Sequence, residues 1–579
     1  MLSLKNGLLG FLFTNSLLFI FISFSSIAFV ASASPVYPES PERRAVTSQY
    51  DVVIYGNTVA GLAAAVQTKR MKKTVAIVIP GNTLGGLTTS GLGWTDNKKG
   101  DSIGGIAREF YAKIYTYYQS KPTWKYETRA AYVAKKVGAQ PGIAIDETKK
   151  VQWTFEPKAS EAIWEKWVKD GKIPVFRNEP IDRSGNGVTM NGTTIVSFTT
   201  QSGSVFEGKM FIDASYEGDL LEAAGIPYRI GREARNEFNE PAGGISINLP
   251  GKLSTIDPYI EPGNNSSGLI KGIQQVINDT AAVDGQSDPY SLQAYNYRLS
   301  FTKTAANRKP FFQPADYNES DYEILLRYIE SGYKGPFFTS QLMPNLKTDS
   351  NAAGQVSTDL IGGNYNEESN YIEDSYEQRA VSMLAHKLYT QGFLWTLVNS
   401  TRVPQSIRTA VNAWGYSKDE FVSNDNWPYE IYVREGRRMN GLYTMSQSDI
   451  QQPQTAFAND SIVGLGSYYL DVHQVQRVLV DGKIYDEGHV HIVTTKPFAI
   501  PFNSLIPSAE YATNFINPIT MSSTHIAYSA IRMEPTYMIL GQSAATAAIM
   551  AIQQGVSIQD VDRTNLTARL AADKQVLSL

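Results

Sequence analysis

Two apolar runs near the start of the chain, Tyr50-Asp51-Val52-Val53-Ile54-Tyr55 and Thr74 to Ile79, are continuous rather than alternating, as strands buried on both faces require. Between them the Ala-rich stretch Leu62 to Met71 predicts a helix, ended by Lys72-Lys73, which completes a βαβ unit of about 30 residues. Further helices are predicted over Ile106 to Tyr118 and Glu161 to Asp170, with a short strand at Pro174-Val175-Phe176-Arg177. Alternating positions from Val188 to Lys209 predict a small antiparallel meander. Phe211-Ile212-Asp213-Ala214-Ser215 then reads as another buried strand, ending in an acid and small residues. From about Arg235 to Lys496 the texture changes: loops lengthen, aromatics crowd, and helices such as Tyr376 to Gln391 interrupt irregular stretches. Beyond this insert Pro501 to Pro507 and Phe515-Ile516 read as extended. Pro535-Thr536 opens a second Ala-rich helix, Tyr537 to Gln554, stopped by Gly555.

The segment before the first strand has another pattern. Lys5, the apolar stretch Leu8 to Val30 and the small residues Ala31-Ser32-Ala33 are laid out as a secretory signal cut after Ala33, with a membrane anchor as the alternative. Residues 34–48 are rich in Pro, Ser and charge and read as a linker, in which Glu42-Arg43-Arg44-Ala45 offers a dibasic processing point. Eight N-x-S/T sites, at Asn191, Asn264, Asn265, Asn278, Asn318, Asn399, Asn459 and Asn565, suit a secreted chain. Cysteine is absent from the 579 residues, which excludes disulfides, thiolate metal sites, a thiol nucleophile and a cysteinyl-linked cofactor. With 52 basic and 56 acidic residues and no Lys/Arg run, nucleic acid is not an expected partner. A small-molecule substrate is expected, and no stable membrane association once the signal is cut. The sequence sets no oligomeric state.

The turn Gly56-Asn57-Thr58-Val59-Ala60-Gly61 follows a strand and opens a helix, the context of a dinucleotide fingerprint. Small residues let the backbone approach a pyrophosphate, while helix-start N–H groups and the helix dipole favour its charge. The pattern is G-x-T-x-x-G, with Thr58 where a second Gly is usual. The end of the second strand ordinarily supplies an acid to the ribose hydroxyls, about 20 residues after the glycines. Here Ile79 stands at that place, followed by Pro80, leaving the ribose to neighbours such as Asn82 or to backbone.

A second glycine cluster, Leu84-Gly85-Gly86, and the run Ser90-Gly91-Leu92-Gly93-Trp94-Thr95-Asp96 follow. With Trp153-Thr154-Phe155-Glu156-Pro157, Ile212 to Asp219, Gln293 to Arg298, Tyr432 to Arg438, Ser523 to Ala527 and Arg532 to Thr536, they span most of the chain after residue 49 in order. In these blocks the sequence resembles the FAD-dependent oxidoreductases with a split FAD-binding domain, in a secreted branch sometimes labelled xanthan-lyase-like. The resemblance implies an α/β fold. A Rossmann-like FAD-binding domain would be assembled discontinuously from residues 49–235 and 497–579, with a β-meander and a large α+β substrate or cap domain inserted at 236–496. Gly56, Asn57, Thr58 and Gly61 would line the FAD pyrophosphate, and Gly85 and Gly86 would pass under the adenosine and phosphates. Thr88, Gly91 and Gly93 would approach the isoalloxazine, Val175 and Phe176 would meet the adenine, and Asp213 would close the adenosine side. Glu534, Pro535 and Thr536 would face the flavin pyrimidine, where a helix start favours the negative charge of reduced flavin.

The catalytic candidates are His525, as base or substrate-orienting group, and Arg532. A histidyl-flavin link is conceivable among five histidines. His489-x-His491 and Asp471-x-His473 would each share a strand face, but two-residue spacing alone assigns no metal. Asp349-Ser350-Asn351 mimics a calcium loop and fails at Ala353 and Leu360, where ligands are required. On a helix, Arg434 and Arg438 would share a face, either solvated and salt-bridged or holding an anion. The expected reaction is removal of hydride from a C–H bond beside a hydroxyl or amine, with electrons leaving to oxygen or another acceptor. The alternative is a flavoprotein scaffold with lost or repurposed chemistry, a non-redox binding or lyase-like role motivated by Ile79.

Overall fold

A computed structural model describes residues 45–247, 251–366, 369–451 and 457–579. The expected signal at 1–33 and linker residues 34–44 lie outside them. β1 (Thr47–Tyr55), α1 (Val59–Arg70) and β2 (Val75–Val78) form the βαβ unit. They are followed by α2 (Gly105–Tyr117), α3 (Pro157–Asp170), β3 (Val175–Phe176), β4 (Val188–Asn191), β5 (Thr194–Thr199) and β6 (Val205–Asp213). The parallel part of the central sheet runs β3-β2-β1-β6. β5 pairs antiparallel with the start of β6 and with β4, which is the meander read from the alternation.

The insert carries α4 (Tyr376–Asn399), begun by a capping box between Ser375 and Gln378. It also carries a five-stranded antiparallel sheet in which Leu299–Thr302 lies between Gly415–Ser417 and Lys347–Ser350. After it the chain returns to the first sheet. β7 (Phe515–Ile516) pairs parallel with Phe211 and Ile212 of β6, so a strand from near the C-terminus joins the sheet begun at residue 47. α5 (His525–Ile531) and α6 (Glu534–Gln554) follow. The extended run expected over Pro501 to Pro507 is a strand, Phe498–Pro501, that turns at Phe502–Ser504.

Alternate residues of β1 enter two cores, which is why its apolar run is unbroken. Val52 and Ile54 pack with α1 and α6, whereas Val53 and Tyr55 pack with Phe198, Phe206 and Leu220 on the meander side. α6 is buried from Glu534 to Ala551, as expected of a helix that is apolar all round, and ends on Gly555 in the left-handed region at φ 67°. It crosses α1 so closely that a Cβ on Gly541 would lie 2.1 Å from the Ala60 carbonyl oxygen. Among the described residues no helix is long and apolar enough to cross a membrane.

That crossing yields a test. Gly541→Ala should destabilise the protein by about 1–3 kcal/mol through overpacking, outweighing any gain in helix propensity. Gly81→Ala, where a Cβ meets nothing within 4 Å, should stay within about 0.5 kcal/mol of wild type. Denaturant midpoints measure both, and equal midpoints would contradict the close crossing.

Candidate active site

The βα turn is built by packing. Gly56 has φ 114°, and a Cβ there would fall 2.3 Å from the Ala214 carbonyl carbon at the end of β6. Thr58 caps α1 without a side-chain cap bond, because its Oγ1 donates instead to the Ala214 carbonyl at 2.8 Å. The replacement of the usual second glycine thus ties α1 to β6. Gly61 sits against Gly56 and Ala214, allowing the close approach of helix to strand. The N–H groups of the first turn of α1 have no intrahelical partner and point out of the sheet's C-terminal edge.

The second glycine cluster docks on the first, with the Gly85 N–H donating to the Asn57 carbonyl at 2.8 Å. Gly85 and Gly86 have φ 100° and 51°, and Thr88 Oγ1 donates back to the Gly85 carbonyl. Gly91 has no room for a side chain beside the Arg298 carbonyl, and the Gly93 N–H donates to Asp349 Oδ2 at 3.1 Å. Tyr216 links this loop to α6: its hydroxyl accepts from the Leu87 N–H at 3.0 Å and donates to Glu534 Oε1 at 2.8 Å. The structure therefore brings together Gly56 to Gly61, Gly85 to Thr88 and Glu534 to Thr536, the last more than 400 residues from the other two in sequence.

The other predicted residues are placed differently. Val175 and Phe176 pair with Ile77 and Val78 at the sheet edge, and it is Arg177, just beyond them, that lines a cavity. Asp213 caps its own loop, accepting from Ser215 N–H, Ser215 Oγ and Leu221 N–H, and burial pushes its carboxyl up to about 6. His525 is buried, with Nδ1 on Glu435 at 2.7 Å and its backbone N–H donating to Glu233. Burial, then the Arg438 charge, push it down to about 3, so it is a neutral, fixed imidazole. Arg532 precedes α6, donating to Tyr432 Oη at 2.6 Å and to the Asp471 carbonyl at 2.8 Å.

The Arg434–Arg438 segment corrects the helical reading. It is not helical: Arg438–Met439 is a strand pairing with Tyr228–Arg229, and Arg434, Glu435, Arg437 and Arg438 are all 0% exposed. Neither a solvated face nor a free anion holder results, because each charge has a buried partner: Asp359 for Arg434, Asp219 for Arg437, Glu435 and Glu233 for Arg438. Asp349, from the failed calcium pattern, holds Arg298 through both oxygens at 2.8 and 2.7 Å. Glu156, Asp419 and Glu420 converge elsewhere, but the Lys347 ammonium is paired with all three.

Around Tyr432 the fold gathers groups whose partnerships sequence spacing did not reveal. The guanidiniums of Arg434, Arg532 and Arg298 lie 4.7, 5.6 and 5.7 Å from its ring. His473 Nδ1 is 2.6 Å from Asp359 Oδ2, and its Nε2 is 3.9 Å from Asp471 Oδ2. Burial and the neighbouring Arg434 hold His473 below the ordinary histidine range. Asp96 lies 3.9 Å from Arg298, and burial pushes it up to about 6.

At the C-terminal edge of the parallel strands a cavity of about 870 Å³ is lined by Asn57, Pro80 to Thr83, Arg177, Tyr216 and residues of the insert. This is where an open parallel sheet takes a nucleotide. FAD fits the polar groups present. Glu534 Oε2 and Thr536 Oγ1 at the start of α6, and Ser90 Oγ in the glycine loop, are buried without a protein partner, as a flavin's polar edge requires. Fold and site together define a dinucleotide-binding flavoprotein with its sheet completed from both ends of the chain. A sequence profile described as FAD dependent oxidoreductase matches residues 51–570, and the chain belongs to that family: it is an FAD-dependent oxidoreductase. No curated protein matches it. Among solved structures it is similar to L-amino acid deaminase from Proteus vulgaris (12% identity, 36% of this chain and 60% of that one, TM-score 0.23). It is also similar to L-proline dehydrogenase from P. horikoshii (11% identity, 32% and 59%, TM-score 0.21). A flavin-containing monooxygenase from Stenotrophomonas maltophilia is a third (12% identity, 33% and 44%, TM-score 0.18). Likenesses this slight assign no substrate.

Glu534 offers a check on this site. Burial pushes its carboxyl up to about 8, the nearby Glu430 adding to the effect. Its folded-state value exceeds the unfolded value of about 4.3, so the folded protein binds the extra proton and stability falls as pH rises from about 4 to 8. Glu534→Gln should flatten that fall, so Tm drops less between about pH 5 and 8 than in wild type. Parallel Tm curves for the two proteins would show that Glu534 is ionised when folded.

Proposed function

We propose that the protein removes hydride from a C–H bond beside a hydroxyl or amine of a small organic substrate and passes the electrons to oxygen or another acceptor. Bound FAD supplies the hydride acceptor. The observation that carries the reading is the pairing of His473 with Asp359 beside Arg532 at the entry to α6. Asp359 fixes Nδ1 and leaves Nε2 as the proton-accepting atom, the arrangement by which a carboxylate orients a histidine base. Because burial, and then Arg434, push His473 below the ordinary histidine range, it is ready at neutral pH to take the hydroxyl or amine proton as hydride departs. Arg532 and Tyr432 stand where a developing negative charge on the substrate would be steadied, and the start of α6 adds its dipole. His525, held between Glu435 and Glu233, acts in this reading by positioning the α5 segment.

Secretion belongs to the same reading. All eight acceptor asparagines named above are exposed, as glycan attachment requires. Outside a cell reduced nicotinamide is scarce, which favours an organic electron donor over a nucleotide one.

The test is anaerobic bleaching of the bound flavin by a panel of alcohols, sugars and amines, followed by aerobic peroxide release. Flavin that stays bound and oxidised throughout would end the proposal. With a substrate in hand, kcat/KM should hold down to below about pH 6.5 and then fall, since the lowered His473 must be neutral to act. His473→Gln should cut kcat by about 10²–10⁴-fold and abolish that acid limb. A limb that persists in the variant would assign the base elsewhere.

A further inference from the structure

Sheets of this kind hold the adenosine ribose with an acid at the end of the second strand, and here that place is taken by Ile79, whose side chain is 0% exposed in the core. The nearby cavity nevertheless contains carboxyls: Glu161, Glu165, Glu217 and Glu430 all line it. Glu165 is committed to Arg177 at 2.6 Å. Glu217 lies among the Arg379 and Arg437 charges, with Tyr371 Oη donating to it. Glu161 shares α3 with Glu165 and is raised by burial and by that like charge.

Glu430 differs in what holds it. It is carried over the cavity by the insert, and its Oε1 is hydrogen-bonded by the Asn57 side-chain amide, inside the glycine turn itself. The same amide donates to the Thr83 carbonyl at 3.2 Å, so Asn57 anchors the Glu430 carboxyl to the loop that leaves the second strand, four residues past Ile79.

We propose that Glu430, supplied by the insert, is the ribose-binding carboxyl that the second strand lacks. The chemistry suits the place. Ribose offers two adjacent hydroxyls, each able to donate and accept, and a carboxyl presents two oxygens to them. Burial, with Glu217 nearby, pushes Glu430 up to about 8, so at neutral pH it is uncharged and would not repel a pyrophosphate held at the start of α1. The insert thereby becomes part of the cofactor site as well as of the substrate side.

Flavin binding tests this with the full-length protein freed of FAD and titrated with FAD or FMN by flavin fluorescence. Glu430→Ala should weaken FAD by about 10–100-fold, the worth of one or two hydrogen bonds to a carboxyl. Glu430→Gln, isosteric and able to keep one bond, should weaken it by less. FMN, which has no adenosine, should bind both variants within about twofold of wild type. Glu161→Gln, which removes the other carboxyl of the cavity not committed to an arginine, should weaken FAD by less than Glu430→Gln does. The proposal is overturned if the Glu430 variants bind FAD as wild type does, if FMN weakens as much as FAD, or if the loss follows Glu161 instead. It rests on FAD as cofactor and not on the substrate reading. Absent bleaching with FAD bound would count against that reading, whereas unchanged FAD affinity would count against this one.

Discussion

Charge taken out of water constrains this molecule more than any other interaction. Asp219, just past the end of β6, receives Arg379 of α4 at 2.9 and 2.8 Å and Arg437 at 3.1 Å, with both arginines in the interior. The effective cost of burying an ion is several kcal/mol, repaid only when partners meet in good geometry. A shift of the insert by a residue would leave several such ions uncompensated. The lattice continues through Arg438 to Glu233 and Glu435, and through Glu435 to His525. One short segment, Arg434 to Arg438, therefore fastens the insert to the sheet and to the helix pair α5–α6 at once. Tyr432 and Glu430, which lead into it, inherit their positions from that fastening.

This explains what could and could not be read from sequence. The sheet's first strands were legible because burial on both faces demands an unbroken apolar run, and Val52 to Tyr55 have one. The ends of α1 and α6 were legible because Gly56 and Gly555 occupy backbone that glycine favours. Partnerships were not. His473 and Asp359 are separated by 114 residues, and Asn57 and Glu430 by 373, distances at which no spacing rule operates. The Arg434–Arg438 run shows the opposite failure, a local pattern that suits a helix face but is overruled by ion pairs from three other segments.

Thr58 and Ile79 show how departures from a familiar motif can be absorbed locally. Thr58 uses its extra atoms to bond Ala214, the same residue that excludes a side chain from Gly56, so the turn loses a glycine and gains a tie to β6. Ile79 gives up a polar contact and joins the core between α1 and the sheet. The acid missing at the strand end is matched by acids converging from α3 and the insert on the cavity beyond it.

Two helix starts and two neutral acids complete the electrostatic argument. A helix N-terminus favours an anion by about 0.3–1 kcal/mol, and up to about 2 in partly buried geometry. An ionised carboxylate about 5 Å from a phosphate, at an effective dielectric of about 20, opposes it by about 3 kcal/mol. Either acid, if charged, would therefore cancel what the adjacent helix contributes. Glu430 is bonded to the turn that opens α1, and Glu534 belongs to the first turn of α6. Burial pushes each up to about 8, which removes the repulsion and keeps a hydrogen-bonding group in place. The same desolvation that forces the arginines into pairs thus keeps these two carboxyls protonated, leaving both helix starts free to meet a negatively charged cofactor.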